Sequence, residues 1–189
     1  ESQERKNIMN KLFYNDWLII DNIAIKDVAN MVKKGIKTTL PISLRSRSTT
    51  GGRAKQYELF KYFKNNSALN KLKERILANI NKSLQLQVSD LKLVSAWTVL
   101  GYKNSYHTLH RHNTKQNHIS CVLYLSVPNS KSKKDGSLFY VYNRDQEINY
   151  GIHKPRAGEL VIFPIWLWHG TYPQSKGLRQ TLNLEFETC

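Results

Sequence analysis

The sequence predicts a mainly β fold with N-terminal helices, an α+β chain whose strands build a β-sandwich or jelly roll packed against helices on one face. Three observations lead there. A helical apolar period is found only in the first half of the chain. From residue 92 onward, short runs rich in β-branched and aromatic residues recur with no helical period. Turn-forming groups punctuate those runs at Pro128-Asn129-Ser130, Lys134-Asp135-Gly136, Pro155-Arg156-Ala157-Gly158 and Pro173 to Gly177.

Taken in order, residues 17–21 read as a short strand between Asn15-Asp16 and Asp21-Asn22, and residues 26–36 as a helix with Asp27 near its start and Gly35 near its end. Residues 38–54 hold no stable period, carry Arg45, Arg47 and Arg53, and contain Gly51-Gly52. They read as a long loop: an active-site lid or substrate-gripping arm, or a solvated surface loop. Residues 55–65 read as a short helix burying Leu59, Phe60 and Phe63. Residues 67–84 form the clearest helix, with Ser67 as N-cap and Leu69, Leu72, Ile76 and Ile80 on one face. Strands follow over 92–102, 119–127, 137–143, 148–152, 159–163 and 180–186, with Ser130 to Lys134 as a basic hairpin tip. No internal repeat is present. The expected organisation is a single domain over 1–189, in which 1–90 supply helical support and a loop and 91–189 the jelly-roll core.

The 189 residues are 40% hydrophobic, enough to bury a core and to argue against disorder of the whole chain. No apolar run approaches the length of a membrane span, and the polar N-terminal ESQERKNIMNKLF lacks a signal-peptide core. The chain starts at Glu1 rather than Met, so trimming of a few residues is expected. Cys121 and Cys189 provide neither a disulfide framework nor a zinc spacing, which suits a reducing, cytoplasmic setting. Lys and Arg number 29 against 14 Asp and Glu, a net charge of +15. That excess points to an acidic partner, such as an acidic peptide or protein or a nucleic acid, or else to a surface that is simply basic.

The chemistry-bearing residues cluster. His107, His110 and His112 lie within six positions, and Phe163-Pro164 leads through Trp166 and Trp168 to His169, with Arg179 ten residues later. In a His-X-His unit on or just after a strand, side-chain alternation sends both rings to one side. Neutral imidazole suits Fe, Zn, Cu and Ni. His169, at the end of another candidate strand in an aromatic setting, can add a third ligand and leave positions open for water or substrate. A lone His is more often a satisfied core residue than a ligand, and His118 and His153 are read that way. His107 belongs to the cluster as a supporting or substrate-contacting group.

Together these motifs resemble the iron(II)- and 2-oxoglutarate-dependent dioxygenases. The likeness is to a small bacterial and phage branch whose first two ligands read His-X-His. The matching elements are His110-Arg111-His112, the Tyr124 strand, the Gly136-led strand, the Pro155 to Gly158 turn, Phe163-Pro164, His169 and Arg179, over roughly residues 95–186. The resemblance implies a double-stranded β-helix, a cupin-like jelly roll, with supporting N-terminal helices. It implies that His110, His112 and His169 bind Fe(II), and that Arg179 pairs with the distal carboxylate of 2-oxoglutarate through its planar fork. Thr181, on the same strand face, and Tyr124 would assist that carboxylate. The implied activity is hydroxylation of a C–H bond with dioxygen and 2-oxoglutarate as co-substrates. The wider superfamily places Asp or Glu where His112 stands, so a three-His set leaves the metal one unit more positive.

Two other readings compete. One is a three-His cupin-like metal dioxygenase without 2-oxoglutarate, which Arg179 distinguishes from the first. The other is a non-enzymatic, basic nucleic-acid-binding jelly roll, against which stands the lack of aromatic residues interleaved with basic ones.

Overall fold

The computed structural model describes residues 18–42, 50–84, 91–112, 118–144 and 146–188. In chain order these form β1 (Ile19–Asn22), α1 (Lys26–Thr38), β2 (Thr50–Gly51), β3 (Ala54–Glu58), α2 (Phe60–Phe63), α3 (Ser67–Leu84), β4 (Leu91–Gly101), β5 (Tyr106–His110), β6 (His118–Ser126), β7 (Leu138–Arg144), β8 (Glu147–His153), β9 (Glu159–Pro164), β10 (Trp168–Thr171) and β11 (Arg179–Thr188). Two antiparallel sheets result. One runs β1-β9-β6-β11-β4-β3 and the other β2-β5-β10-β7-β8. This is the jelly roll expected from the sequence.

Alternation along the central strands of the larger sheet explains both packing layers. On β6, Ile119, Cys121, Leu123 and Leu125 face the helices, whereas Val122 and Tyr124 face the smaller sheet. On β9, Leu160 and Ile162 take the helical side, and Val161 and Phe163 the inner one. Both strands are therefore buried on both faces, which is why they read as near-continuous apolar runs. The helical layer completes the first core: Val28, Met31 and Val32 from α1, and Leu69, Leu72, Ile76 and Ile80 from α3, meet Leu182, Leu184 and Phe186 of β11. Gly35 permits the close seating of α1, because a Cβ there would come within 2.9 Å of Leu59 and 3.1 Å of Tyr62. Asp21 ties β1 to α3 by accepting from Arg75 Nε at 2.7 Å and from Asn79 Nδ2 at 2.7 Å.

Several expectations need correction. Residues 54–58 are a strand, not the start of a helix, because they pair in register with β4. Only Phe60–Phe63 is helical there, with Leu59 and Phe63 buried and Phe60 partly so. The long loop ends earlier than its composition suggests, since Thr50 and Gly51 pair with His107 and Tyr106. Arg53 is exposed, while Arg45, Arg47, Trp17 and Cys189 lie outside the described residues. The N-terminus of α3 is capped by Asn66, whose Oδ1 accepts from Ala68 N at 2.9 Å, and not by Ser67, the first helical residue. Ser130 to Lys134 is an exposed arch from one sheet to the other and not a hairpin tip. Two short strands, β5 and β10, escaped the sequence reading because polar and histidine residues mask their pattern.

Leu184 is fully buried between the larger sheet and the helices. Leu184→Ala is expected to lower the unfolding free energy by about 2–5 kcal/mol, the usual cost of a buried Leu-to-Ala truncation. Ile148, 83% exposed on β8, should lose less than about 0.5 kcal/mol on the same change. Urea unfolding followed by circular dichroism checks both.

Candidate metal centre and anion pocket

The pairing of β5 with β10 sets His110 directly opposite His169. The register then slips, so that Thr171, two residues on from His169, pairs with His107, three residues back from His110. The extra residue on β5 is a bulge, and bulges re-aim side chains beside functional sites. It lets His107 and His110, three apart, both line the same cavity, which regular alternation would forbid. His112 lies beyond the end of β5 in a bend. It therefore does not join His110 by strand alternation, as its spacing suggested. Its backbone N–H donates to Ile165 O at 3.3 Å, and its ring meets Trp97 edge-on with centroids 5.5 Å apart.

His110, His112 and His169 each present one potential ligand atom within 4.8 Å of the other two. The outward ring nitrogens of His110 and His169 are occupied. His110 Nδ1 lies 2.7 Å from Thr108 O, and His169 Nδ1 lies 2.8 Å from Leu167 O. A carbonyl only accepts, so each Nδ1 carries the hydrogen and each Nε2 keeps its lone pair. His112 Nδ1 sits 2.7 Å from Glu185 Oε1. Burial, the neighbouring His112 and, for His169, also His110 hold down two of these rings: His110 is pushed to about 4, and His169 falls well below its ordinary value. Both are neutral at pH 7, the form that ligates metal. His107 is not one of the three. Burial first, and then the charge of Arg179, push it down to about 3.

Arg179 opens β11 and is only 3% exposed. Its Nη1 donates to Gly136 O at 2.9 Å and its Nη2 to Thr171 Oγ1 at 3.0 Å. Gly136 supplies that carbonyl from a left-handed conformation, φ 66°, which glycine adopts without strain. Among the described residues no carboxylate lies within ion-pair distance of Arg179, and burial pulls its pKa below the ordinary value. A buried guanidinium without an anion is costly, so the site calls for an anionic ligand. Thr181 faces the same cavity, and its Oγ1 accepts from Asn183 Nδ2 at 3.1 Å. The Thr181 hydroxyl hydrogen is thereby left to donate elsewhere. Tyr124, opposite Thr181 on β6, is fully enclosed; burial raises its pKa to about 12, so the phenol stays protonated.

These residues share one cavity of about 280 Å³, with Trp97, Val99, Val122 and Leu138 as apolar wall. Among the described residues none that lines the cavity is acidic: the polar wall is His107, His110, His112, His169, Arg111 and Arg179 with Gln56, Asn183, two threonines and Tyr124. At the mouth, the Arg111 guanidinium sits 5.0 Å over the ring of Trp168, which is 42% exposed. Three convergent imidazoles thus suit a divalent transition metal, and the Arg179 end suits a carboxylate in the same space. His118 and His153 are not among the residues lining the cavity and lie 3.6 Å from Glu187 and 2.9 Å from Glu159. Sequence reasoning passed over Asn183, Glu185 and Thr171. The signal for the first two was the period-two polar series Arg179, Thr181, Asn183, Glu185 inside an apolar strand.

Residues 95–184 match the family described as putative 2OG-Fe(II) oxygenase. No curated protein matches the sequence. Solved structures share the fold at low identity. A Pseudomonas putida prolyl-4-hydroxylase aligns over 98% of this chain and 99% of its own, with TM-score 0.64 and 16% identity. HygX from Streptomyces hygroscopicus, bound to nickel and 2-oxoglutarate, covers 93% of this chain and 84% of its own, with TM-score 0.65 and 14% identity. A Trichoplax adhaerens prolyl hydroxylase in complex with a hypoxia inducible factor peptide covers 98% and 91%, with TM-score 0.60 and 12% identity.

The depressed histidines carry a sign for stability. In the unfolded chain each would take a proton near 6.5, whereas in the folded chain His110 waits until about 4 and His107 until about 3. Between those values the unfolded state binds more protons, so stability falls as pH drops. With chelator present, Tm should be steady above pH 7 and decline from 6.5 toward 4. A melt series that is flat across that window would contradict the buried neutral rings.

Proposed function

We propose, from the match of residues 95–184 to the 2OG-Fe(II) oxygenase family, that the chain is such an oxygenase, that His110, His112 and His169 hold the iron, that Arg179 holds the distal carboxylate of 2-oxoglutarate, and that the enzyme hydroxylates a C–H bond of an anionic substrate. The observation that carries this reading is the buried Arg179 fork, without a carboxylate of its own, in the same cavity as the three histidines. A three-His metal site that used no 2-oxoglutarate would have no need of it.

When bound, iron(II) with 2-oxoglutarate and dioxygen supplies the oxidising power for hydroxylation, at the cost of decarboxylating 2-oxoglutarate. The chain supplies the rest. Gly136 O and Thr171 Oγ1 fix the guanidinium plane and leave its other N–H groups for a bidentate carboxylate. Thr181 donates its hydroxyl to the same group, and the protonated Tyr124 phenol stands ready as a further donor. Val99, Val122 and Leu138 keep water from that end, which strengthens each of these contacts. Three protein ligands leave coordination positions free for co-substrate and dioxygen. The Arg111 guanidinium, between two ligands and stacked on Trp168, faces incoming substrate, and with no acidic residue lining the cavity among the described residues an anionic peptide, protein or nucleic acid is favoured.

Anaerobic addition of 2-oxoglutarate to the iron-loaded protein should raise a weak visible charge-transfer band. His169→Ala should abolish it. Arg179→Ala should weaken 2-oxoglutarate binding by about 2–5 kcal/mol, as loss of one partner of a buried charge pair does. A spectrum unmoved by 2-oxoglutarate, with iron bound, would remove 2-oxoglutarate from the reading. For the substrate, acidic peptides and oligonucleotides should stimulate 2-oxoglutarate decarboxylation more than neutral peptides of equal length, and added salt should erode the difference. Equal stimulation by the neutral set would sink the anionic assignment.

A further inference from the structure

The metal reading above leaves a charge unaccounted for, and one side chain stands where it can supply it. Iron sites of the two-His-one-carboxylate kind carry one negative ligand. Here His112 occupies that ligand's place in the sequence pattern, and ligating imidazoles are neutral. Glu185 is next to it. The carboxylate projects from β11 on the same face as Arg179, Thr181 and Asn183, with its backbone opposite Ser95 of β4 and Ser120 of β6. Its Oε1 lies 2.7 Å from His112 Nδ1, and both side chains are more than four-fifths buried, at 17% and 16% exposure. The contact falls outside hydrogen-bond geometry, so His112 Nδ1 is buried with no hydrogen-bond partner among the described residues, and Glu185 is the group a small turn of the ring would give it. His110 and His169 direct the corresponding nitrogen at backbone carbonyls, so His112 alone among the three meets a charged acceptor. Glu185 itself is not one of the groups that converge on the metal position. It stands one imidazole away.

Resting on that reading, we propose that Glu185 is a positioning residue for the metal: through His112 it supplies, from outside the ligand set, the negative charge and the hydrogen-bond acceptor that a ligating carboxylate would have supplied from within. Two consequences follow physically. Brought into line, the carboxylate would hold the hydrogen on Nδ1, which leaves the Nε2 lone pair of His112 for the metal. It also makes that imidazole a stronger donor to the metal. Trp97 packs against the ring and Ile165 O holds the His112 backbone, so the ring stays beside Glu185 before metal arrives.

The test is a double-mutant cycle read by metal affinity alone. Anaerobic Fe(II) titrations against a competing chelator, repeated with Co(II) for its visible bands, are run on the wild-type chain, Glu185→Gln, His112→Asp and the double variant. Glu185→Gln keeps the shape and removes the charge, and should weaken binding about 10- to 100-fold, the usual effect of losing an outer partner of a metal-bound histidine. In the His112→Asp background the charge is already in the ligand set and Glu185 repels it. Adding Glu185→Gln there should leave affinity unchanged or raise it. Such a loss or reversal of the effect cannot come from a general loss of folding. Equal weakening by Glu185→Gln in both backgrounds, or none in the wild-type background while His169→Ala still abolishes binding, overturns the role of Glu185 and leaves the metal site standing. Failure of the wild-type chain to bind either metal overturns the site and this role together.

Discussion

The side-chain alternation of β11 is the constraint on which the rest depends. One face gives Leu182, Leu184 and Phe186 to the core beneath the helices. The other gives Arg179, Thr181 and Asn183 to the cavity and Glu185 to His112. The apolar face anchors the polar one: because β11 is held between β6 and β4 and buried against α1 and α3, its polar residues are fixed in a place they would not choose alone. A shift of one residue in its register would put leucines into the cavity and an arginine into the helical core.

Electrostatics inside the cavity are one-sided. Among the described residues, Arg179, Arg111 and four histidines line it without an acidic group, and the histidines with displaced pKa values respond by staying neutral. Such a wall is tolerable because imidazole can discard its proton, whereas guanidinium cannot. The unmet demand is therefore concentrated at Arg179. The basic character of the whole chain, +15, extends the same bias beyond the cavity.

Much of this was legible in the residues. The long strands β4, β6, β9 and β11 and the helices α1 and α3 announced themselves by period, because burial on one or two faces writes a regular apolar pattern. The three convergent histidines and Arg179 were legible because each motif has a fixed order along the chain. What was hidden had a physical reason. β5 and β10 are short and carry their site residues at the positions an apolar pattern would need. The bulge that turns His107 inward is a register property of two strands and has no signature in either. β3 looked helical because Phe60 and Phe63 follow it at helical spacing. The role of His112 was anticipated through strand alternation, yet a bend brings it in. Glu185 was overlooked because a lone acidic residue near a C-terminus carries no pattern until His112 is placed beside it.

Thr171 joins the two ends of the site through β10. Its hydroxyl accepts from His107 N–H at 2.9 Å and from Arg179 at 3.0 Å, and it follows His169 by two residues on the same face. Two residues of extended strand span about 6.6 Å. A single rigid strand thus carries a histidine of the three-His cluster at one mark and the support of the Arg179 guanidinium at the next, like graduations on a ruler. Gripping one molecule at both marks would gauge its length, and a diacid one methylene shorter or longer would lose its grip at one end.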